Sequence, residues 1–569
     1  MNDNRNMILA IVLSALVLIG WSMLSERFLP SAPPPAQQVD DGQPQPSPQA
    51  QAGPVERTPQ KIRSRQEVLA ESPRVQIRTP SLRGSINLTG ARIDDLVLLR
   101  ERQSMAKDSP PVRLLSPAGA PEAYFASFGW TGQGVQVPTP TTRWTASAPV
   151  LQPGQPVTLT WSNGEGQTFE IIIGVDENYL FTAQQRVVNS GSGAVAVRPY
   201  GLISRADESP DPDYWTVHVG PIGVFNDAAT YDIDWSSLEG GQVERFDSRG
   251  GWLGFSDKYW LTALAPAGNP QIAASFTGTP GGGFQADYAE QPQIVPPGGG
   301  VSTETRLFAG AKEKALLDRY EGLGIPKLSK SIDWGWFEWF MRPIFDVLNW
   351  LFEATGNFGL AIICLTVIVR LIMFPIAQKQ FKSFAAMRKV QPKLKALQEK
   401  FKDDKTKQQQ AMLKLYKEEK INPAAGCLPI LLQIPIFYAL YKVLLVSVEM
   451  RHQPFALWIK DLSAPDPLTP VNLFGLLPFT PPLFLTIGIL PILLGVTMWL
   501  QFKLNPQQLD KTQQQIFMLM PWVMMVILAP FAAGLVLYWV TSNVLTIAQQ
   551  WWLYRRFGLH LSDTHPVKT

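Results

Sequence analysis

The chain has 569 residues, too many for one domain, and a formal net charge of +3, too small to suggest nucleic-acid binding. Its two cysteines, Cys364 and Cys427, form no disulfide framework in the polar part of the chain and argue against redox chemistry or cysteine-ligated zinc. Pro, Gly, Thr and Gln dominate up to about residue 331, whereas Leu, Ile, Phe, Met and Trp dominate 358–554. We therefore expect a multi-domain protein with a soluble part and a membrane part.

The N-terminal apolar run, Met7 to Leu24, contains no charged residue and follows Arg5. It is longer than the core of a signal peptide and ends without a small-residue cleavage site. This favours an uncleaved transmembrane anchor at 1–24 over a cleaved signal. Residues 25–61 have almost no large apolar side chains and are predicted to form a Pro/Gln-rich linker.

Short alternating segments, such as VTLTWS and FEIIIGVD, follow one another from about Val75 and are separated by Gly, Pro, Asn and Asp. This period of two predicts an all-β sandwich domain over 62–330. Four aromatic residues are candidates for a carbohydrate platform, although aromatics in a large sandwich more often belong to its core: Trp215, Trp252, Phe255 and Trp260.

The segment 331–353 carries four tryptophans among apolar residues that are interrupted by charges. Because tryptophan favours the level of the lipid headgroups, we expect an interfacial amphipathic helix along the membrane surface. A helix packed on the β domain is the alternative.

The apolar run from Phe358 to Ile376 is long enough to cross a bilayer and contains one arginine, Arg370. A guanidinium in hydrocarbon costs about 2.5–3.5 kcal/mol on insertion scales, so it is expected to face water, a partner or the membrane surface. Thr366 lies one turn earlier on the same helix face. Either this face lines a water-filled groove, or Arg370 extends towards the inner membrane surface.

The following segment, 378–424, contains thirteen lysines and arginines against five acids, a balance that keeps a short loop in the cytoplasm. Its apolar residues recur every three or four positions, which predicts a helical hairpin with a thin apolar stripe. Its role is open between a solvated loop that fixes the topology and a docking arm for chains or ribosomal RNA.

Four more apolar runs, at 426–446, 483–500, 516–531 and 535–552, bring the predicted total to six transmembrane helices. The distribution of basic residues between them places both termini in the cytoplasm and the large domain in the periplasm, as in a multi-pass protein of a bacterial inner membrane. The runs contain no acid within them, and the chain has no P-loop or H-E-x-x-H motif. These observations argue against a transporter, an ATPase and a protease.

Six segments, taken in chain order, resemble the YidC membrane-protein insertase family: IVRLIMFP, MRKVQPKLKALQEKF, NPAAGCLPILLQIPIFYALY, PFALWIKDLSAPDP, LPILLGVTMWLQ and GLVLYWVTSNVLTIAQQ. The resemblance implies a periplasmic β super-sandwich and five core helices over 354–556 around a groove open to the cytoplasm and to lipid. It implies no cofactor. The positions implied to line the groove are Arg370, Thr366, Gln433, Tyr538 and Trp539. The hairpin is implied to recruit substrate, through Met387, Pro392, Leu394 and Leu397.

The resemblance also implies partners: nascent membrane proteins, the Sec translocon, the lipid bilayer, and the ribosome, weakly, through the short tail 557–569. No small-molecule substrate is expected. The predicted function is ATP-independent insertion and folding of membrane proteins, which is not enzymatic. Two alternatives stay open from the residues alone: a solute transporter or channel, and a membrane-anchored carbohydrate-binding protein.

Overall fold

The computed structural model describes residues 62–211, 216–279, 282–402, 404–419, 428–474, 476–477, 486–504 and 511–556. The predicted anchor, linker and tail, at 1–24, 25–61 and 557–569, lie outside the described residues, as do Trp215 and Cys427. A short helix, α1 (Arg65–Ala70), opens the described chain. The Ser64 side chain accepts a hydrogen bond from the Glu67 amide, and the Glu67 side chain accepts one from the Ser64 amide, so a capping box fixes where α1 begins.

Strands occupy most of the described chain from Arg74 to Ala311. They are β1 (Arg74–Arg78), β2 (Leu82–Asn87), β3 (Arg92–Arg102), β4 (Pro111–Leu115), β5 (Tyr124–Gln133), β6 (Thr145–Ala146), β7 (Val150–Leu151), β8 (Val157–Ser162), β9 (Gln167–Val175), β10 (Leu180–Asn189), β11 (Val195–Arg205), β12 (Gly220–Phe225), β13 (Ala228–Thr230), β14 (Val243–Arg249), β15 (Trp252–Ser256), β16 (Trp260–Pro266), β17 (Gln271–Gly278), β18 (Phe284–Glu290), β19 (Gln293–Val295) and β20 (Gly300–Ala311).

The described strands form two sheets. The 11-stranded sheet has the order β14-β17-β18-β11-β5-β3-β2-β1-β7, with β19 paired to β11 and β4 paired to β3. The 9-stranded sheet has the order β13-β12-β15-β16-β20-β10-β9-β8-β6. Neighbouring strands are antiparallel except for the parallel pair β1 and β7.

The two sheets pack face to face through aromatic side chains. Trp130 of β5 lies 5.2 Å from Phe169 of β9, and Phe255 of β15 lies 6.3 Å from Phe276 of β17, both measured between ring centroids. Strand β9 alternates strictly between buried and half-exposed residues, as one face against a core requires. The predicted strand-rich sandwich is confirmed.

The predicted core position of the candidate platform aromatics is confirmed for two of them. Trp252 and Phe255 are fully buried, and the Trp252 indole donates to the Pro326 carbonyl at 3.0 Å. Trp260 is half-buried, and the Arg451 guanidinium lies over its ring. Buried rings of this kind offer no open platform for a sugar.

Helices make up most of the described chain after the sandwich. They are α2 (Lys314–Gly322), α3 (Glu338–Thr355), α4 (Phe358–Lys400), α5 (Lys405–Glu418), α6 (Leu428–Val446), α7 (Ile489–Leu504), α8 (Lys511–Leu528) and α9 (Ala533–Arg556).

Helix α3 begins at Glu338, inside the segment predicted to be interfacial, and extends two residues beyond it to Thr355. Its buried face comprises Met341, Phe345, Leu348 and Leu351, and it packs against α4 and α6. Trp339 and Trp350 are exposed on the other side. The helix is therefore amphipathic, with tryptophans available to lipid, while its position at a membrane surface stays a prediction.

Helix α4 runs without interruption through Pro375 and Pro392. Asn357 fixes its first turn by accepting a hydrogen bond from the Leu360 amide at 3.1 Å. After Lys400 the chain turns and α5 packs back on the end of α4. The first arm of the predicted hairpin is thus the continuation of the helix that carries Arg370.

Among the described residues, one helical segment, Phe358–Gln378, is long and apolar enough to cross a membrane. Three shorter apolar helical segments follow, at Leu432–Val446, Ile489–Leu504 and Met518–Leu528. Helix α9 packs against α4 and α7, and α8 packs against α7. The predicted number of six crossings stays a prediction.

Polar contacts join the sandwich to the C-terminal end of α6. Lys442 of α6 pairs with Asp333, which follows the sandwich, at 3.1 Å. The Lys314 amide donates to Glu449 at 3.0 Å, just beyond α6. Arg451 donates to the Arg102 carbonyl of β3 at 2.7 Å. Helix α6 is therefore held at its end by both the sandwich and the segment that leaves it.

Candidate functional site around Arg370

Arg370 lies in the fourth turn of α4, at the contact between α4 and α9. Its side chain is half-buried. The guanidinium donates two hydrogen bonds to one acceptor, the Ser542 hydroxyl of α9: one from Nε at 3.2 Å and a shorter one from Nη2. Within the described part of the chain, no carboxylate forms an ion pair with Arg370. Among the described residues, the cation is therefore held by a neutral group.

A second polar contact crosses from α6 to α9. The Gln433 side-chain amide donates to the Tyr538 hydroxyl at 2.5 Å. Tyr538 and Ser542 are four residues apart in α9 and so lie on one helix face. Polar side chains of three helices, α4, α6 and α9, are thereby brought together along this face.

A third contact joins α9 to α7. The buried Asn543 side chain donates to the Thr497 hydroxyl at 3.1 Å, and Thr497 donates to the Leu493 carbonyl of its own helix at 2.8 Å. These bonds satisfy polar groups that would be costly to leave unpaired in an apolar bundle. They tie α7 to α9 at the residue next to Ser542.

Two of the predicted groove residues have other contacts in the structure. Thr366 is buried, with a side chain 1% exposed, and its hydroxyl donates to the Ile362 carbonyl of the same helix at 2.6 Å. The half-buried Trp539 ring packs on Phe437 of α6, with 4.8 Å between ring centroids. Of the five predicted positions, Arg370, Gln433 and Tyr538 thus belong to the polar face, and a role for all five in substrate contact stays a prediction.

Large apolar side chains next to Arg370 point away from the bundle. Leu371 and Ile372 are 66% and 71% exposed, respectively, and such side chains suit contact with lipid. Arg370 therefore lies between a polar interior face and an apolar exterior. A permanently charged guanidinium in this position is suited to bind a carboxylate with two parallel hydrogen bonds.

The hairpin formed by the end of α4 and α5 has a small core of its own. Val390, Leu394 and Leu415 are buried in it, with Leu397, Met412 and Tyr416 packed around them. Lys393 of α4 pairs at 2.6 Å with Glu419, the residue that follows α5. Pro392 is exposed, and of Met387 only the backbone is described. Leu394 and Leu397 thus hold the hairpin together, whereas Pro392 is accessible to a partner.

Sequence reasoning did not single out Ser542 or Lys442. Ser542 is one of several neutral polar residues within the apolar runs, and nothing in the pattern distinguishes it from Thr541. A signal was present for Lys442, because it is a cation within an apolar run that has to find a partner. Among the described residues, no group of His, Cys, Asp and Glu is arranged to hold a metal ion.

A cavity of about 390 Å³ lies at the junction of the sandwich and the segment after α6. It is lined by residues of the β3 end and by Glu449, Arg451 and His452. No residue of the polar face around Arg370 lines it, so this cavity is separate from the candidate site.

Comparisons with known proteins agree with this two-part organisation. Residues 350–559 match the sequence model of the family described as 60Kd inner membrane protein, and residues 74–347 match that of the YidC periplasmic domain. The membrane protein insertase YidC of Zymomonas mobilis subsp. mobilis is 47% identical over 560 residues, covering 98% of this chain and 96% of that protein. The chain belongs to the YidC insertase family.

Other YidC proteins are similar over the same extent. Membrane protein insertase YidC of Rhizobium meliloti is 44% identical over 577 residues, covering 98% of this chain and 97% of that protein. A solved structure, described as an active YidC insertase with the first transmembrane domain resolved, covers 84% of this chain and 92% of its own, at 20% identity and a TM-score of 0.37.

The YidC family assignment confirms the predicted resemblance. It makes the chain an inner-membrane protein with a periplasmic domain, and it confirms the predicted combination of a β sandwich with a helical C-terminal region. The number of crossings, the side on which the hairpin lies and the positions of the termini stay predictions.

Proposed function

We propose that this protein inserts nascent membrane proteins into the bacterial inner membrane and assists their folding, without ATP and without an enzymatic step. Relatives that carry the name membrane protein insertase, at 42–47% identity over nearly the full length, support the proposal. The observation that carries the mechanism is the half-buried guanidinium of Arg370, held by a neutral hydroxyl at the boundary between polar and lipid-facing surfaces.

The physical task of an insertase is to lower the cost of moving a polar tail across hydrocarbon. A groove lined by Arg370, Gln433 and Tyr538 shortens the apolar barrier and offers one cation to an acidic tail. Thr366 and Trp539 form the adjoining wall. The apolar segment of the substrate then moves into lipid, and the transfer of its apolar surface supplies the driving force.

The proposed topology has six crossings with both termini in the cytoplasm. Its parts are an anchor at 1–24, a linker at 25–61, the periplasmic sandwich at 62–330, an interfacial helix at 331–353, five core helices within 354–556 including the hairpin at 378–424, and a tail at 557–569. The basic charge of the hairpin supports a cytoplasmic position.

The hairpin and the tail are the proposed points of contact with partners on the cytoplasmic side. The hairpin recruits substrate through Met387, the exposed Pro392 and the apolar stripe that contains Leu394 and Leu397. Cooperation with the Sec translocon and a weak ribosome contact through the tail belong to the same proposal.

Reconstituted insertion tests the proposed function. Purified chain in proteoliposomes receives a single-span substrate with an acidic N-terminal tail, and translocation is measured as protease protection of that tail. Arg370→Glu is expected to lower translocation at least about tenfold, because it replaces the cation with a carboxylate that repels the acidic tail. Lys503→Glu, which reverses an exposed charge at the end of α7, is the matched control and is expected to retain activity. Wild-type translocation by Arg370→Glu would contradict the proposal.

A further inference from the structure

The Ser542 hydroxyl is the acceptor for two donors of Arg370, the only arginine in the apolar run of helix α4. The Nε and Nη2 groups of Arg370 both donate to the Ser542 hydroxyl, so the side of the guanidinium that carries Nε is occupied. An arginine has five N–H donors. The Nη1 pair and the second Nη2 hydrogen have no partner among the residues that the structure describes.

The remaining donors form the end of the guanidinium fork, the edge that binds a carboxylate with two parallel hydrogen bonds. Without an acceptor at Ser542, a long and flexible arginine side chain has more rotamers available. Two hydrogen bonds to one hydroxyl restrict the rotamers that are open to this side chain.

We propose that Ser542 is a positioning residue, which holds Arg370 so that its fork end engages a carboxylate of the incoming tail. Ser542 itself does not contact the substrate. This inference rests on the proposed insertion function, and it adds that the preference of the groove for acidic tails depends on a neutral hydroxyl in α9.

The backbone hydrogen bonding around Ser542 does not depend on the serine hydroxyl. Its carbonyl accepts a hydrogen bond from the Thr546 hydroxyl at 2.7 Å, and this bond does not involve the serine side chain. The helix is therefore expected to persist when only the hydroxyl is removed. Threonine and valine have nearly the same shape and differ in the hydroxyl, so Ser542→Thr and Ser542→Val form a matched pair.

The experiment measures translocation of two tails that differ only by Asp→Asn replacements. Ser542→Ala and Ser542→Val are expected to lower translocation of the acidic tail about tenfold, because each removes a hydrogen bond to a charged group. Translocation of the neutral tail is expected to fall less than about twofold. Ser542→Thr keeps the hydroxyl and is expected to retain the preference for the acidic tail. Thr497→Val, which removes a hydroxyl from the α7–α9 contact, is expected to leave the preference unchanged.

Several outcomes overturn this inference. They are equal behaviour of Ser542→Thr and Ser542→Val, an equal loss for both tails, or a loss of preference in Thr497→Val. If Arg370→Ala impairs the acidic tail and Ser542→Ala does not, the positioning role is wrong and the insertion proposal survives. If Arg370→Ala leaves both tails unaffected, the electrostatic part of the proposed function itself fails.

Discussion

Lys442 and Asp333 form an ion pair that joins α6 to the segment leaving the sandwich, with Lys442 Nζ 3.1 Å from Asp333 Oδ2. The lysine side chain is 1% exposed, and Asp333 Oδ2 also accepts the His218 amide at 3.1 Å. The same helix carries Gln433, nine residues earlier, in contact with Tyr538. Helix α6 therefore connects the periplasmic junction to the polar face around Arg370.

The two partners of this ion pair are expected to respond unequally to substitution. Asp333→Asn leaves a buried cation without a counter-charge and should lower the free energy of unfolding by about 2–3 kcal/mol. Lys442→Met should cost less, because Asp333 keeps the His218 and Gly335 amides as donors. The double variant should lose less unfolding free energy than the sum of the losses in the two single variants. Denaturation in SDS of the purified chain measures these differences.

The control for these variants is Lys330→Met, which removes a partly exposed ion pair with Glu338. It should lower the free energy of unfolding by at most about 1 kcal/mol. An Asp333→Asn variant as stable as Lys330→Met would show that the pair contributes nothing beyond an exposed contact.

The sequence predicted those features that follow from local pattern. The period of two in segments such as FEIIIGVD predicted strand β9, and a charge in an apolar run drew attention to Arg370. Local pattern did not predict that one helix, α4, would continue through Pro375 to Lys400 and so join the apolar run to the hairpin.

The local sequence pattern did not predict contacts between residues that are far apart in the chain. Arg370 and Ser542 are 172 positions apart, and Lys442 and Asp333 are 109 apart. Which of several serines and threonines meets a given arginine depends on how the helices pack, and the local sequence pattern does not reveal that packing. The type of partner was predictable, since a buried charge needs a hydrogen-bonding group, but its identity was not.

Thr366 is expected to tolerate loss of its hydroxyl. Its side chain is buried and already donates to the Ile362 carbonyl, so Thr366→Val conserves the shape and removes only a bond within α4. Translocation of the acidic tail by this variant should stay within about twofold of the wild type. A tenfold loss would show instead that the hydroxyl turns to meet the substrate.

Leu394 is expected to control the stability of the hairpin. Its side chain is 6% exposed and packs with Val390 and Leu415, so Leu394→Ala removes part of a core that has few other members. Leu413→Ala in α5 is the matched control, because Leu413 is 53% exposed. Limited trypsin digestion should cleave the hairpin about tenfold faster in Leu394→Ala and at the wild-type rate in Leu413→Ala. Equal cleavage of both variants would mean that the helices are already apart in solution.

Glu290 is expected to make the stability of the sandwich depend on pH. Its side chain, at the end of β18, is buried, and this burial raises the pKa of the carboxyl from 4.5 to about 7. Between these values the folded chain keeps a proton that the unfolded chain has released, so stability falls as the pH rises through this window. Glu290→Gln resembles the protonated form and does not titrate. Its advantage over the wild type should be small near pH 4.5 and about 1–2 kcal/mol at pH 8.

Thermal unfolding of the detergent-solubilised full chain, followed by tryptophan fluorescence at both pH values, measures this advantage. Glu244→Gln, at an exposed carboxyl of β14, controls for the loss of one negative charge. The sign of the stability difference between Glu290→Gln and the wild type at pH 8 is diagnostic. A carboxyl stabilised by a cation would make Glu290→Gln less stable than the wild type at that pH. An advantage that is equal at pH 4.5 and pH 8 would show that the substitution acts through packing and that the buried carboxyl does not titrate in this range.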